Sequence, residues 1–147
     1  MSAPNTAPAA KKVTISNKLK ILVVDDMPTM RKVIIHMLKE IGLANASEVD
    51  DGDQAWIEIK NAIKDNVPYE LIVSDINMPK VNGLELLEKV RNDPQTKRTP
   101  FLIITVEDQT YTVMKAVQLG VSNYIVKPFS PNILKDKIYR IFAEQKE

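Results

Sequence analysis

Five residues with reactive side chains come directly after short apolar runs. Asp25 and Asp26 follow LVV, Asp75 follows LIVS, Thr105 follows LII and Lys127 follows YIV. Taken singly, an aspartate or a threonine in such a place is most often a turn former or a helix cap, and a lysine is most often solvated. If the runs are parallel strands, however, their carboxyl ends share one edge of the sheet, where ligands of open α/β sheets bind. We therefore treat the five residues as one candidate site.

The combination of side chains indicates phosphoryl chemistry. Three carboxylates held together repel one another and raise one another's pKa values unless a cation compensates. Oxygen ligands, in a chain without cysteine, favour Mg²⁺ or Mn²⁺ over zinc. A divalent cation, the ammonium of Lys127 and the hydroxyl of Thr105 together neutralise a phosphoryl group during transfer. A carboxylate can itself be the nucleophile, but the residues alone do not say which aspartate is attacked.

The composition fits one domain and excludes several classes of protein. With 147 residues, 44% hydrophobic and 27% charged, the chain can bury a core and is not wholly disordered. A formal charge of +1 argues against a protein that coats nucleic acid or an anionic membrane. The absence of cysteine excludes disulfides, and a single histidine excludes a multi-histidine metal site. No apolar run approaches the roughly 20 residues of a membrane span, so we expect a cytoplasmic protein.

The elements that would position the site alternate along the chain. Residues 1–17 are rich in Ala, Pro, Ser and Thr and predict a flexible tail, followed by one domain over residues 18–147. Hydrophobic patterns predict strands at 19–24, 46–49, 69–74, 101–104 and 123–126, each followed by a helix. This alternation predicts βαβ crossovers and a parallel sheet covered on both faces. Five units are too few for a closed barrel, so the expected fold is a doubly wound α/β sheet of the (βα)5 type.

Four segments resemble successive blocks of two-component receiver domains, most of all the CheY-type chemotaxis regulators. They are LVVDDMPTMRK, LIVSDINMPKVNGLELL, FLIITVED and GVSNYIVKPF, and the similarity runs from about Leu19 to the C-terminus. The resemblance implies a flavodoxin-like fold with strand order 2-1-3-4-5. It also implies a cis peptide bond between Lys127 and Pro128.

The resemblance further implies how the acidic residues act. Asp75 would be the phosphorylated aspartate. Asp26 and Asp75 would bind Mg²⁺ through their carboxylates, and Asp25 would bind it largely through water. The backbone carbonyl of Asn77 would be a further ligand.

The remaining roles implied by the resemblance concern switching and partners. Thr105 and Lys127 would contact the phosphoryl oxygens, and Tyr124 would change rotamer on activation. A histidine kinase of the CheA type would donate the phosphoryl group. The surface formed by the fourth helix, the last strand and the last helix would bind an output partner such as a flagellar motor switch protein, and a phosphatase is a further expected partner. We expect a monomeric switch that is not an enzyme, has no output domain of its own, and contacts neither nucleic acid nor membrane.

Three alternatives remain open. A phosphorelay intermediate would pass its phosphoryl group to a second histidine protein instead of a motor protein. An aspartate-nucleophile phosphatase of the haloacid-dehalogenase type would need a second aspartate where Asn77 stands. A flavin carrier on the same fold would need a phosphate-binding loop after the first strand, where the acidic pair Asp25 and Asp26 would repel the FMN phosphate.

Overall fold

The computed structural model describes residues 14–78, 80–106 and 110–144. Within these ranges five strands alternate with five helices. The strands are β1 (Ile21–Val24), β2 (Ala46–Val49), β3 (Leu71–Asp75), β4 (Phe101–Thr105) and β5 (Asn123–Val126). The helices are α1 (Pro28–Glu40), α2 (Gly52–Lys64), α3 (Gly83–Asn92), α4 (Thr110–Gln118) and α5 (Pro131–Glu144). The predicted alternation is confirmed, with small changes at the ends of the elements.

The five strands form one parallel sheet in the order β2-β1-β3-β4-β5. The predicted fold class and strand order are therefore confirmed. The chain runs outward from β1 to β2 on one side and through β3, β4 and β5 on the other, so the order reverses between β1 and β3. Val24 pairs with Ser74 across that boundary. Asp25 and Asp75 are the next residues on the two neighbouring strands, at the place where ligands of such sheets bind.

Helices cover both faces of the sheet, and alternate strand residues point to opposite faces. Ile21 and Val23 belong to a cluster packed by α1 and α5. Leu22 and Val24 belong to a second cluster, packed by α2, α3 and α4. Burial on both faces explains why the fully buried strands β1, β3 and β4 are mainly continuous apolar runs, whereas the edge strand β2 is only partly buried and includes Ser47 and Glu48.

Capping side chains mark the N-termini of two helices at the edge of the sheet that carries the candidate site. Asp51 precedes α2, and its side chain accepts a hydrogen bond from the Gln54 N–H at 2.8 Å. Asn82 and Glu85 form a capping box at the start of α3. Each helix is the next element after the carboxyl end of a strand, so the N-termini of α2 and α3 lie at the same edge as the aspartates.

The N-terminal tail predicted over residues 1–17 falls mostly outside the described residues, which begin at position 14. In residues 14–17, Ile15 packs against the cluster that α1 and α5 cover. In the described part of the chain, no helix combines the length and the apolar character that crossing a bilayer requires.

Candidate functional site

Three aspartates meet where β1 and β3 end. One carboxylate oxygen from each of Asp25, Asp26 and Asp75 lies within 4.8 Å of the other two. Asp25 is 0% exposed and Asp75 is 5% exposed, whereas Asp26 is exposed. The cluster is thus buried on two sides and reaches solvent through Asp26.

The Asp25 carboxylate has one satisfied oxygen and one unsatisfied oxygen. Its Oδ1 atom accepts a hydrogen bond from the Met27 N–H at 2.9 Å. Its Oδ2 atom is buried and has no hydrogen-bond partner within the described ranges. A buried carboxylate oxygen without a donor is costly unless a cation compensates. One carboxylate oxygen from each of the three aspartates gives an all-oxygen donor set that fits a hard divalent cation such as Mg²⁺ or Mn²⁺.

Lys127 provides a positive charge beside the aspartates. Its Nζ atom lies 3.7 Å from Asp25 Oδ2 and 3.8 Å from Asp75 Oδ1, and its side chain is 12% exposed. The Lys127 N–H donates to the carbonyl of Thr105 at 2.7 Å, which ties the end of β5 to the end of β4. The Lys127–Pro128 bond is cis, as the family resemblance implied. One ammonium against three carboxylates leaves the cluster with a negative charge.

The pKa of the Asp75 carboxyl is raised, chiefly because the group is buried. The positive charge of Lys127 opposes this effect, and the negative charges of Asp25 and Asp26 add to it. The Ile76 N–H donates to Asp75 Oδ1 at 2.8 Å and lowers the pKa. Burial and repulsion outweigh the two stabilising contacts, so an ionised Asp75 favours a neighbouring cation.

The segment after Asp75 is pressed closely against two helix starts. A Cβ atom at Gly83 would clash with the carbonyl oxygen of Asp75, and the Gly83 N–H donates to the Ile76 carbonyl at 2.9 Å. A Cβ atom at Gly52 would clash with the carbonyl of Val81, which accepts the Gly52 N–H at 3.2 Å. Glycine at both positions lets α2 and α3 hold this segment in place.

Thr105 and Asn77 are two further predicted site residues, at the end of β4 and two positions after Asp75. Thr105 is the last residue of β4 and is 5% exposed. Asp75 pairs with Ile104, so Thr105 lies one position further along the neighbouring strand. Asn77 lies in the segment between β3 and α3 and is exposed.

Tyr124 lies on β5, three residues before Lys127, and is half-buried. Its side chain packs against the cluster that α2, α3 and α4 cover. Lys137 Nζ lies 5.5 Å from the centre of its ring. The structure thus brings Asp25, Asp26, Asp75 and Lys127 together. Tyr124 lies near the start of β5, at the opposite end of that strand from Lys127.

One residue at the site, Arg31, received no role from the sequence. Its Nη1 atom donates to the Asp25 carbonyl and its Nε atom donates to Glu48 Oε1, both at 2.7 Å. The signal that could have identified it is its spacing, since positions 31, 34 and 38 share one helix face and both Ile34 and Leu38 are buried. A basic residue on the buried face of a helix indicates a specific partner.

Comparisons with known proteins relate the chain to one family and one fold. Residues 21–139 match the response regulator receiver domain family. The chain is 41% identical over 120 residues to the chemotaxis protein CheY1 of Helicobacter pylori, which covers 82% of this chain and 94% of the relative. It is 40% identical over 124 residues to the chemotaxis protein CheY of Pseudomonas aeruginosa, which covers 84% and 96%. The solved structure of the chemotaxis response regulator CheY4 of Vibrio cholerae matches with a TM-score of 0.73 and 31% identity over 83% of this chain and 97% of that chain.

Proposed function

Because this chain belongs to the response regulator receiver domain family, we propose that it is a phospho-accepting chemotaxis switch whose acceptor is Asp75. The observation that carries the proposal is the group of three carboxylates with Lys127 beside it. This arrangement provides a nucleophile, ligands for a divalent cation and a fixed positive charge within one small space. The receiver domain spans residues 18–147 in this proposal, and the protein acts in the cytoplasm as a monomer.

The proposed reaction moves a phosphoryl group from a phosphohistidine of a CheA-type kinase to Asp75. A carboxylate oxygen of Asp75 attacks the phosphorus, the P–O bond forms as the P–N bond breaks, and the departing imidazole nitrogen takes up a proton. Mg²⁺, or Mn²⁺ in its place, would be held by Asp26, Asp75 and the Asn77 carbonyl, and by Asp25 largely through water, and would neutralise charge on the phosphoryl oxygens. The ammonium of Lys127 is held near the same oxygens because it already faces Asp75 Oδ1 at 3.8 Å.

The proposed switch links the new charge to a distant surface. The hydroxyl of Thr105 donates to a phosphoryl oxygen and moves toward it, and Tyr124 turns into the space released. This shifts an existing equilibrium between two conformations of the surface formed by α4, β5 and α5.

The exposed apolar side chains of α4 favour the proposal that a protein partner binds this surface. Tyr111, Met114 and Val117 are 79%, 56% and 60% exposed, and their spacing places them on one side of the helix. Exposed apolar side chains in a row are typical of a docking surface. The partner we propose is a flagellar motor switch protein.

The acceptor role is tested by intact-protein mass spectrometry after incubation with acetyl phosphate and Mg²⁺. We expect the parent to gain one phosphoryl group, and to gain none when EDTA removes the metal. Asp75→Asn should gain none. Asp93→Asn is the matched control, because Asp93 pairs with Lys60 at 2.7 Å at the opposite end of α3, and it should behave as the parent does. A phosphoryl group on Asp75→Asn, or a parent that accepts none from either acetyl phosphate or a kinase, would overturn the proposal.

The output is tested with the phosphorylated parent and two candidate acceptors. A motor switch peptide should bind the phosphorylated form more tightly than the unphosphorylated form. A histidine phosphotransferase domain should not receive the phosphoryl group. Rapid transfer to that domain without peptide binding would assign the chain to a phosphorelay instead.

A further inference from the structure

Arg31 joins α1 to the ends of two strands. The guanidinium donates from Nη1 to the Asp25 carbonyl and from Nε to Glu48 Oε1, both at 2.7 Å. The Arg31 side chain is only 15% exposed, so water competes weakly for these bonds. Because the guanidinium is planar, two bonds from different nitrogen atoms fix its orientation as well as its position.

All but one of the polar atoms of Asp25 form hydrogen bonds. Its N–H donates to the Val49 carbonyl at 3.3 Å, its carbonyl accepts from Arg31, and its Oδ1 accepts from the Met27 N–H. The exception in the described part of the chain is Oδ2, which is buried, accepts no hydrogen bond and lies 3.7 Å from Lys127 Nζ. The direction of this oxygen therefore depends on the three bonds that hold the rest of the residue.

Glu48 holds the guanidinium in turn. It lies on β2, where it pairs in register with Val23 of β1. Its second oxygen, Oε2, lies 3.2 Å from Lys32 Nζ. The hydrogen bond from Arg31 lowers the pKa of Glu48, so the carboxylate stays ionised. The pair therefore ties α1 and β2 to the residue that ends β1.

We propose that Arg31 is a positioning residue of the acidic site: its guanidinium fixes the backbone of Asp25 and thereby aims Oδ2 at the bound cation, and Glu48 keeps the guanidinium in place. The inference rests on the proposed function, since it concerns the same site. Supporting contacts of this kind strengthen the binding of a metal. The positive charge of Arg31 has the opposite effect, because it repels a divalent cation.

These opposite signs make the inference testable by the affinity for Mg²⁺, measured by isothermal titration calorimetry. Arg31→Met removes both the charge and the contacts. If positioning dominates, its dissociation constant for Mg²⁺ rises about tenfold. If only the charge matters, the variant binds Mg²⁺ more tightly than the parent does. Arg31→Lys keeps the charge but cannot reproduce both bonds, and it too should bind Mg²⁺ more weakly.

Two variants control for charge and for stability. Lys32→Met removes a positive charge that pairs with Glu48, but Lys32 makes no bond to Asp25. Lys60→Met breaks a 2.7 Å ion pair with Asp93, beyond the far end of α3. Both should keep the Mg²⁺ affinity of the parent within about twofold, even where the melting temperature falls.

Phosphorylation by acetyl phosphate provides a second readout. The Mg²⁺ concentration that gives half the maximal rate should rise about tenfold in the Arg31 variants, while the rate at saturating Mg²⁺ stays close to that of the parent. Equal or tighter Mg²⁺ binding by Arg31→Met, or by Arg31→Lys if the first variant does not fold, overturns the inference and leaves the proposed function intact. A parent that binds no Mg²⁺ overturns both.

Discussion

The ammonium nitrogen of Lys127 lies 3.8 Å from Oδ1 of Asp75, which is within reach of electrostatic attraction but too long for a hydrogen bond. The same nitrogen lies 3.7 Å from Asp25 Oδ2. Lys127 therefore compensates two buried carboxylates without being bonded to either. A divalent cation bound by these aspartates would have to share them with this ammonium.

Replacing Lys127 with methionine should separate its effect on Mg²⁺ binding from its effect on the rate of phosphorylation. Without the ammonium the site is more negative, so we expect Mg²⁺ to bind about tenfold more tightly. The rate of phosphorylation by acetyl phosphate should nevertheless fall about 100-fold, because a charge that stabilises the phosphoryl oxygens is lost. Calorimetry and mass spectrometry measure the two effects.

Lys80→Met is the matched control for this variant. Lys80 Nζ lies 3.9 Å from Asp51 Oδ2, but its side chain is 68% exposed, so its removal should change neither quantity appreciably. Weaker Mg²⁺ binding by Lys127→Met would show that the ammonium organises the aspartates instead of competing for them.

Asp26→Asn should stabilise the protein when no metal is present. The substitution removes one of three clustered negative charges, and since Asp26 is exposed we expect a rise in melting temperature of only about 2 °C. Added Mg²⁺ should stabilise this variant less than it stabilises the parent. Differential scanning calorimetry in EDTA and in Mg²⁺ tests both effects. Glu88→Gln makes the same charge change on the exposed side of α3 and should shift neither value, whereas a lower metal-free melting temperature for Asp26→Asn would mean that Asp26 has a stabilising partner.

The raised pKa of Asp75 predicts how metal-free stability depends on pH. The folded state holds the Asp75 proton more tightly than the unfolded state does, because the group is buried. The contribution of Asp75 to stability is therefore present below the unfolded pKa of about 3.9 and is lost as pH rises through the folded pKa. Asp75→Asn, which carries no charge at any pH, should be more stable than the parent at pH 7 in EDTA, and this difference should shrink as pH falls toward 4. Urea denaturation across this range measures the effect, and a difference that does not change with pH would contradict the assignment.

Val106 should lengthen the lifetime of the phosphorylated state. It follows Thr105 directly and is 55% exposed, so we expect its branched side chain to hinder the approach of attacking water to the phosphoryl group. Val106→Ala should lose its phosphoryl group about threefold faster, a change of ~0.65 kcal/mol in activation free energy. The decay is followed by mass spectrometry after the donor is removed in the presence of Mg²⁺. Val67→Ala, at an equally open position after α2, should decay as the parent does, and equal or slower loss from Val106→Ala would show that access is not limiting.

Much of the fold could be predicted because its signals are local. Strands β1, β3 and β4 are centred on short apolar runs, and residues such as Asp51 and Asn82 begin helices by hydrogen bonds within a few residues of the chain. The order of the strands came from the resemblance to receiver domains, since no local signal specifies which strands pair. The grouping of Asp25 and Asp75 followed from the parallel sheet, and their chemical roles stay predictions.

The amino-acid sequence was enough to identify the residue types at the carboxyl ends of the strands, because periodicity and capping depend on neighbouring residues. The differences between those side chains in burial and in hydrogen bonding became visible only in the folded protein. Asp25 and Asp26 are adjacent and identical in type, yet Asp25 is 0% exposed with one oxygen that accepts no hydrogen bond from any described residue, and Asp26 is exposed. Likewise, the bond from Arg31 to the Asp25 carbonyl depends on where α1 packs against the sheet. The burial of each carboxylate, the direction in which it points and its hydrogen-bond partners are set by elements distant in sequence. These properties distinguish two aspartates that look the same in the sequence.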